Sequence, residues 1–247
     1  MLSVIIPVYN EAATIGVVLE KVLAVPLPGG MAREVIVVND GSTDGTADAL
    51  EAWVNRPPQA PPPAGQVKII HQKNQGKAGA IRVGIKRASG DILLIQDADL
   101  EYDPAQYPGL LRPILEGQAQ VVYGSRFLGN IRNMSWIDRW ANNVSNTMFR
   151  RLYGAVITDI NTCYKAFTRK ALEGIVLNAR NFAFETEITV KFIQKGLFIK
   201  EIPIHYAART RQEGKKIRWA TALQMFWPIL RYRFNGPTRF ARSPQDF

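Results

Sequence analysis

Residues 91–104 read Asp-Ile-Leu-Leu-Ile-Gln-Asp-Ala-Asp-Leu-Glu-Tyr-Asp-Pro, an apolar run that gives way abruptly to acidic residues. The run Ile92–Ile95 has the length and the branched side chains of a buried strand. Pro104 is typical of the first turn of a helix that follows. Ligands of open α/β sheets bind beyond the carboxyl ends of the strands, and Asp97 and Asp99 fall at that position. The stretch therefore predicts an α/β sheet with an acidic ligand site at one edge.

Asp97 and Asp99 are close enough in sequence to act together, two residues apart just past the predicted strand. There both carboxylates can converge on one hard cation with oxygen ligands, such as Mg²⁺ or Mn²⁺. The alternative is a solvated acidic loop in which Asp103 and Pro104 begin a helix. Other parts of the chain favour the cation site.

The composition is that of a globular protein. The chain has 247 residues, of which 47% are hydrophobic, so one large domain or two small ones can bury a core. The single cysteine, Cys163, cannot form an internal disulfide, which suits a reducing compartment. No apolar run approaches the roughly 20 residues that cross a bilayer, and the strand predicted at 2–8 is a poor signal peptide. We therefore expect a protein that is soluble or lies on a membrane surface.

The net charge is +10, from 31 basic and 21 acidic residues, and much of it lies late in the chain. Residues 209–247 contain nine Arg or Lys against Glu213 and Asp246. Such an excess indicates an anionic partner, whether nucleic acid, a phosphorylated substrate or anionic lipid. Nucleic acid is disfavoured because the sequence has neither zinc-finger spacing nor an RNA-recognition motif.

Apolar strands alternate with helices along the first half of the chain. We predict strands at 2–8, 34–39, 67–71, 92–95 and 120–123, and helices at 14–25, from the cap at 42–43 to about 56, at 77–88 and at 104–116. This alternation is typical of a single α/β domain with a mostly parallel central sheet flanked by helices. The proline-rich segment 57–65 is predicted as a surface loop and 124–126 as a basic turn.

The second half of the chain is less regular. We predict helices at 135–153 and 184–195, and strands at 163–168 and 198–206. The tail at 218–234 is apolar around most of its circumference, so it either packs on the domain or lies in a membrane interface.

Three predicted strands end in polar groups, at 9–11, 40–42 and 97–99, along the edge where a nucleotide would bind. The glycine fingerprint of dinucleotide-binding folds and the phosphate loop are both absent. A diphosphate held without those loops needs a cation and a basic side chain. Asp97 and Asp99 can supply the first, and Arg126 the second.

Four motifs give the chain a recognisable family. They are VIIPVYNE at 4–11, VNDGSTDGT at 38–46, QDADLE at 96–101 and GSRF at 124–127. In this order and spacing they resemble the family 2 glycosyltransferases, most closely the polyprenyl-phosphate (dolichol-phosphate) mannosyltransferase and glucosyltransferase branch. The resemblance implies a Rossmann-like, glycosyltransferase A-type catalytic domain over 1–217. Residues 124–217 would form its acceptor-side half, followed at 218–247 by an amphipathic helix and a basic tail.

The resemblance also implies roles for particular residues. Nucleotide-sugar binding is expected of Pro7, Tyr9, Glu11, Asp40, Ser42, Lys77 and Asp97. Metal binding is expected of Asp97, Asp99 and Glu101, and contact with phosphate of Arg126. A basic loop would hold the acceptor phosphate through Arg209, Arg211, Lys215 and Lys216. That loop departs from the branch, which usually has Ser-Lys where this chain has two lysines. The transmembrane tail of many bacterial relatives is missing, so the chain resembles the soluble catalytic type.

The activity implied is inverting transfer of one hexose from a nucleotide diphosphate sugar to a polyprenyl or dolichyl phosphate. GDP-mannose and UDP-glucose are the expected donors, with Mg²⁺ or Mn²⁺ as cofactor. A divalent ion on Asp97 and Asp99, helped by Arg126, would neutralise the charge of the departing diphosphate, so Asp99 and Arg126 are the expected catalytic residues. We expect no nucleic-acid partner, and a cytoplasmic protein in peripheral contact with the cytoplasmic face of a membrane. The sequence leaves its oligomeric state open.

A second reading changes only the acceptor, to a hydroxyl of a cell-surface polysaccharide or glycolipid. That chemistry needs a general base, for which Asp159 is the first candidate. Glu185 and Glu187 rank lower because acids at helix starts are usually structural. The Gln-x-x-Arg-Trp signature of processive synthases is not met, since Lys215 stands where the glutamine is required. Single-sugar transfer is therefore favoured over polymerisation.

Overall fold

The computed structural model describes residues 1–56, 65–179, 183–209 and 219–234. Their strands are β1 (Leu2–Val8), β2 (Arg33–Asn39), β3 (Gln66–His71), β4 (Ile92–Ile95), β5 (Val121–Arg132), β6 (Lys165–Thr168) and β7 (Ile199–Ala207). The helices are α1 (Ile15–Ala24), α2 (Thr46–Val54), α3 (Lys77–Arg87), α4 (Tyr107–Leu115), α5 (Trp136–Tyr153), α6 (Arg169–Leu172), α7 (Phe184–Gln194) and α8 (Trp219–Phe234). Most of the predicted proline-rich loop, 57–64, lies outside the described residues.

The seven strands form one sheet in the order β3-β2-β1-β4-β6-β5-β7. β6 runs antiparallel to both of its neighbours, and the other pairings are parallel. The prediction of a single α/β domain with a mostly parallel sheet is therefore confirmed. β1 and β2 are buried along their whole length, as strands must be when helices cover both faces of a parallel sheet.

Helices pack on both faces of the sheet because successive side chains of a strand point to opposite sides. On one face, Val4 and Ile6 of β1 pack in a core with α1 and α4. On the other, Ile5 belongs to a core that includes Ala78 of α3 and Ile188 of α7. With both faces covered, the polar residues that follow β1, β2 and β4 gather at the carboxyl edge.

β5 is longer than predicted and continues for 12 residues. The predicted turn at 124–126 is wrong, because those residues lie inside the strand. Pairing with β7 keeps the chain extended, with a register shift between Ser125 and Asn130. At Gly129 an added Cβ would overlap the carbonyl oxygen of Ile204, so the close approach of β7 requires glycine. Glycine and serine occur both in turns and at irregular positions within strands. Their presence in this segment therefore led to the prediction of a turn.

The second half of α8 packs on the domain. Ile229 is fully buried, and its carbonyl accepts a hydrogen bond from Tyr153 Oη at 2.7 Å. Arg233 Nε donates to the carbonyl of Leu152 at 2.9 Å. Of the two arrangements predicted for the tail, the described side chains of α8 show packing, although Trp227 is 66% exposed.

The carboxylate of Glu34 joins the amino end of β2 to three neighbouring segments, which are β1, β3 and the loop before β4. It accepts hydrogen bonds from Ser3 Oγ at 2.7 Å, Lys68 Nζ at 2.9 Å and the Ser89 backbone N–H at 2.6 Å. Burial by itself would raise the pKa of Glu34, but the hydrogen bonds from Ser3, Lys68 and Ser89 outweigh it and lower the pKa to about 2.

Glu34 is therefore expected to make stability depend on pH in the acid range. Its folded pKa lies below its unfolded value, so its contribution is complete above about pH 5 and is lost as the pH falls towards 2. The free energy lost is roughly 2 to 4 kcal/mol. Urea unfolding at a series of pH values should show this loss in the wild type and not in Glu34→Gln. Glu116→Gln, at an exposed carboxylate, serves as the control, and parallel pH curves for wild type and Glu34→Gln would contradict the assignment.

Candidate active site

A cavity of about 450 Å³ lies at the carboxyl ends of β1, β2 and β4. The predicted site residues that line it are Pro7, Tyr9, Glu11, Asp40, Lys77, Asp97, Asp99, Glu101, Arg126 and Arg209. Among the described residues, the predicted Ser42 and Asp159 do not line it. Arg211, Lys215 and Lys216, predicted to hold the acceptor phosphate, lie outside the described residues.

The loops after β1 and β2 are tied together on one side of the cavity. Asn10 has a left-handed backbone, with φ 55°, and its N–H donates to Ser42 Oγ at 3.0 Å. Its side-chain oxygen accepts from the Thr43 backbone at 2.8 Å. Asp40 accepts from the backbone N–H of Gln75 at 2.8 Å. Ser42 therefore supports the loop that carries Tyr9, and Asp40 anchors the segment before α3.

The acidic stretch after β4 places three carboxylates at the cavity. Asp97 Oδ1 lies 2.7 Å from Lys77 Nζ, and Asp99 Oδ2 lies 3.4 Å from Arg209 Nη2. Burial, followed by the charges of Asp97 and Glu101, raises the pKa of Asp99 to about 7. Like charges crowded in this way are stabilised when a cation arrives.

Two of these carboxylates fit a divalent cation better than three. Both oxygens of Glu101 accept hydrogen bonds, one from Tyr206 Oη at 2.6 Å and one from the Arg209 N–H at 2.8 Å. In the part of the chain that the structure describes, no three His, Cys, Asp or Glu side chains converge to hold a metal ion. Mg²⁺ is commonly bound through one or two carboxylates, with substrate phosphates and water as the other ligands. Asp97 and Asp99 match that donor set, whereas Glu101 fixes the end of β7.

Arg209 lies in the cavity between two acidic groups. Its guanidinium donates to both oxygens of Glu11, at 2.9 and 3.1 Å, and lies close to Asp99. Burial alone would lower the pKa of Arg209, but the hydrogen bonds to Glu11 and the charge of Asp99 raise it. Arg209 therefore stays charged and places a cation beside the carboxylates of Glu11 and Asp99.

Arg126, which lines the cavity, forms a buried ion pair with Asp159, which does not line it. The Nε and Nη2 atoms of Arg126 donate to the two oxygens of Asp159 at 2.7 and 2.8 Å, and Nη2 also reaches Asn142. Burial would lower the pKa of Arg126, but Asp159 raises it well above its usual value. Asp159 is 0% exposed. A general base must reach the proton that it removes, so this geometry does not suit the base role predicted for Asp159.

The sequence analysis named Lys77 and Glu185 separately, but it did not predict that they meet, together with Cys163, at the wall of the cavity. Lys77 Nζ lies 2.9 Å from Cys163 Sγ and 3.4 Å from Glu185 Oε1. The other oxygen of Glu185, Oε2, is buried and accepts no hydrogen bond from any described residue. Burial raises the pKa of the Cys163 thiol well above its usual range, so it is protonated at neutral pH. The one signal in the sequence was an acid in the first turn of α7, which also fits a structural role.

Glu187, the other acid in that turn, is committed to the fold. Its carboxylate accepts from the backbone N–H groups of Asn178 and Ala179, both at 2.8 Å, and from Lys191 Nζ at 2.7 Å. It is 1% exposed. Of the two glutamates, only Glu185 faces the cavity.

A mostly parallel sheet with a cavity lined by carboxylates at its carboxyl edge defines an α/β protein whose candidate ligand site lies beyond the strand ends. The chain belongs to the family described as Glycosyl transferase family 2, whose model matches residues 3–176. It is thus an enzyme of the glycosyltransferase class. The family resemblance seen in the four motifs is confirmed.

Relatives of this chain include undecaprenyl-phosphate 4-deoxy-4-formamido-L-arabinose transferases. The undecaprenyl-phosphate 4-deoxy-4-formamido-L-arabinose transferase of Shewanella sediminis is 28% identical over 237 residues, covering 96% of this chain and 68% of the relative. The enzyme of the same name from Pseudomonas aeruginosa is 29% identical over 219 residues, covering 87% of this chain and 60% of the relative. The chain thus spans between 60 and 68% of the length of these two relatives.

Solved structures with the same fold include glucosyl-3-phosphoglycerate synthase from Mycobacterium tuberculosis. Its complex with Mn²⁺, UDP-glucose and phosphoglyceric acid has a TM-score of 0.71 at 19% identity, covering 96% of this chain and 80% of that one. Its complex with Mg²⁺ and UDP has a TM-score of 0.69 at 21% identity, with the same coverage. The predicted glycosyltransferase A-type fold is confirmed. None of the helices among the described residues is long and apolar enough to cross a membrane.

Proposed function

We propose that this enzyme transfers one sugar from a nucleotide diphosphate sugar to a polyprenyl phosphate, with inversion at the anomeric carbon. The observation that carries the proposal is the pair Asp97 and Asp99, brought with Lys77 and Arg209 into one cavity at the sheet edge. A diphosphate leaving group requires positive charge, which a cation held by carboxylates and basic side chains near the phosphates can both supply. The names of the relatives support the polyprenyl acceptor, and the Mn²⁺ and Mg²⁺ complexes of the structural neighbours support a divalent cofactor.

In the proposed reaction, an oxygen of the acceptor phosphate forms a bond to the anomeric carbon. The bond from that carbon to the diphosphate oxygen breaks, and its electron pair leaves with the nucleoside diphosphate. A divalent cation, when bound by Asp97 and Asp99, supplies positive charge at the leaving group. Lys77 and Arg209 add charge that is fixed before the reaction begins, so neither needs to reorganise during it.

The acceptor phosphate needs no strong base. The second pKa of a phosphate monoester lies near 6, so at neutral pH it is mostly a dianion and already a nucleophile. This chemistry agrees with a cavity in which the predicted base, Asp159, is buried and paired with Arg126. Arg126 would act by holding the wall of the cavity through Asp159 and Asn142, and not as a free cation on phosphate.

A panel of substrates tests the proposal. The full chain would be offered GDP-mannose, UDP-glucose or a nucleotide-linked 4-deoxy-4-formamido-L-arabinose, with Mg²⁺ or Mn²⁺. The acceptor would be either a short polyprenyl phosphate or a saccharide with free hydroxyls. Glycolipid formed from one donor, and none in the presence of excess chelator, is the expected result. Transfer only to hydroxyl acceptors would replace the polyprenyl phosphate by a polysaccharide or glycolipid acceptor. If no donor were consumed and no glycosylated product formed, the proposal would be contradicted.

Glu185 is proposed to contact the transferred sugar. Its side chain lines the cavity beside Lys77, and its buried Oε2 has no donor among the described residues, so the carboxylate can accept a hydrogen bond from a sugar hydroxyl or amine. Glu185→Gln should therefore lower kcat/KM for the donor by about 10- to 100-fold, the effect of losing a hydrogen bond to a charged group. The matched measurement is the affinity for the nucleoside diphosphate alone, which should change little. Equal losses for the diphosphate and for the donor would show that Glu185 does not contact the sugar.

A further inference from the structure

The first turns of α5 have one side facing the cavity and the opposite side exposed to solvent. Asp138, Ala141 and Asn142 face the cavity of the candidate active site. On the opposite side, Trp136 is 78% exposed and Trp140 is 62% exposed. Side chains three and four residues apart share one face of a helix, so the two tryptophans lie side by side on the outer wall of the cavity.

The exposed apolar surface continues from α5 to α8. A groove of about 600 Å³ runs between the two helices, and Trp140, Val144, Met148 and Leu230 are among the residues that line it. Trp227 lies three residues before Leu230 on α8 and is 66% exposed. We call these residues, with Trp136 and Ile137, the α5–α8 face. Soluble proteins rarely expose so many large apolar side chains together without a partner.

The charges around the α5–α8 face are almost all positive. Exposed basic side chains on or near it are Arg132, Arg139, Arg150, Arg151 and Arg231. From 127 to 157 the one acidic residue is Asp138, which lines the cavity and accepts a hydrogen bond from Ser135 Oγ. Tryptophan and arginine together are typical of protein surfaces that meet lipid headgroups.

We propose that the α5–α8 face docks on the surface of a lipid bilayer that contains anionic lipid. The tryptophan rings would enter the headgroup region while the arginines meet lipid phosphates. Because α5 is also a wall of the cavity, docking would bring the active site next to the bilayer. The inference rests on the proposed function in its choice of occupant, since a polyprenyl phosphate lies in a membrane. A protein partner or a second copy of the chain would cover the face without needing its positive rim.

Co-sedimentation with vesicles tests this proposal. Wild-type protein and the double variant Trp136→Ser/Trp140→Ser would be mixed with phosphatidylcholine vesicles, with or without phosphatidylglycerol. We expect wild-type binding that requires the anionic lipid and falls at high salt, and binding at least about tenfold weaker in the variant. Phe198→Ser is the matched control. Phe198 is 47% exposed and immediately precedes the amino end of β7, away from the cavity, so this variant should bind as the wild type does.

Two further measurements separate the possible failures. Circular dichroism and thermal unfolding confirm that the variants are folded, and turnover of a water-soluble short-chain acceptor should be unchanged in the double variant. Equal vesicle binding by wild type and the double variant would overturn the proposal. A wild-type dimer that the tryptophan substitutions dissociate, with no effect on vesicles, would also overturn it in favour of a second copy. Vesicle binding without any sugar transfer would support the α5–α8 face and contradict the proposed function alone.

Discussion

Asp99→Ala is expected to lower kcat for sugar transfer by about 10³-fold or more, because one of the two carboxylates that would hold the divalent cation is lost. The fold should not suffer. In the absence of a cation, burial and then the charges of Asp97 and Glu101 disfavour the ionised form of Asp99 and raise its pKa to about 7. Removing it relieves repulsion, although among the described residues the Arg209 guanidinium then keeps only its ion pair with Glu11. Glycolipid formation and thermal unfolding would be measured on the same preparation, with calorimetry of Mn²⁺ in the presence of nucleoside diphosphate.

Asp103→Ala is the matched control for that experiment. Asp103 belongs to the same acidic stretch, and its carboxylate accepts from the Ala105 N–H at the start of a 3₁₀ turn and is half exposed. Losing it should affect transfer little. Full activity of Asp99→Ala, or full activity of the wild type in excess chelator, would remove the basis for a cation at this position.

The local sequence pattern correctly predicted strands that are buried on both faces along their whole length. The run Ile92–Ile95 is buried on both faces, so its unbroken apolar character was enough to place β4 and the acidic residues after it. The pattern was not enough for β5, whose second half is held by pairing with β7, a partner about 75 residues later in the chain. Local sequence cannot show which distant strand will extend an irregular segment, so a strand was mistaken for a turn.

In the candidate site, too, some contacts could be predicted from local sequence and others could not. Asp97 and Asp99 follow one strand, so their nearness could be read from spacing. Lys77 and Glu185 meet only because α3 and α7 pack on the same face of the sheet, and no short-range pattern encodes that contact. An acid at a helix start has a sufficient local explanation in the helix dipole, which hid the role of Glu185 until its neighbours were known.

Asp159→Ala is expected to lower the free energy of unfolding by about 3 to 5 kcal/mol, the cost of leaving a buried charge without its partner. Arg126 is 6% exposed, and Asp159 takes two of its hydrogen bonds. Urea unfolding of Asp159→Ala against the wild type measures this loss. Glu116→Ala, which breaks the exposed pair with Arg112, is the control and should leave stability almost unchanged.

The double variant Arg126→Met/Asp159→Leu distinguishes a structural pair from a catalytic base. Replacing both members of a buried ion pair by apolar side chains of similar size is often neutral for stability, so the double variant should recover most of the stability lost in Asp159→Ala. If Asp159 were instead the base for a hydroxyl acceptor, Asp159→Asn would retain the stability of the wild type and lose kcat, with a pH–rate profile that no longer shows the titration of a base. Because the carboxylate is buried and both its oxygens are held by Arg126, we expect the stability effect and not the kinetic one.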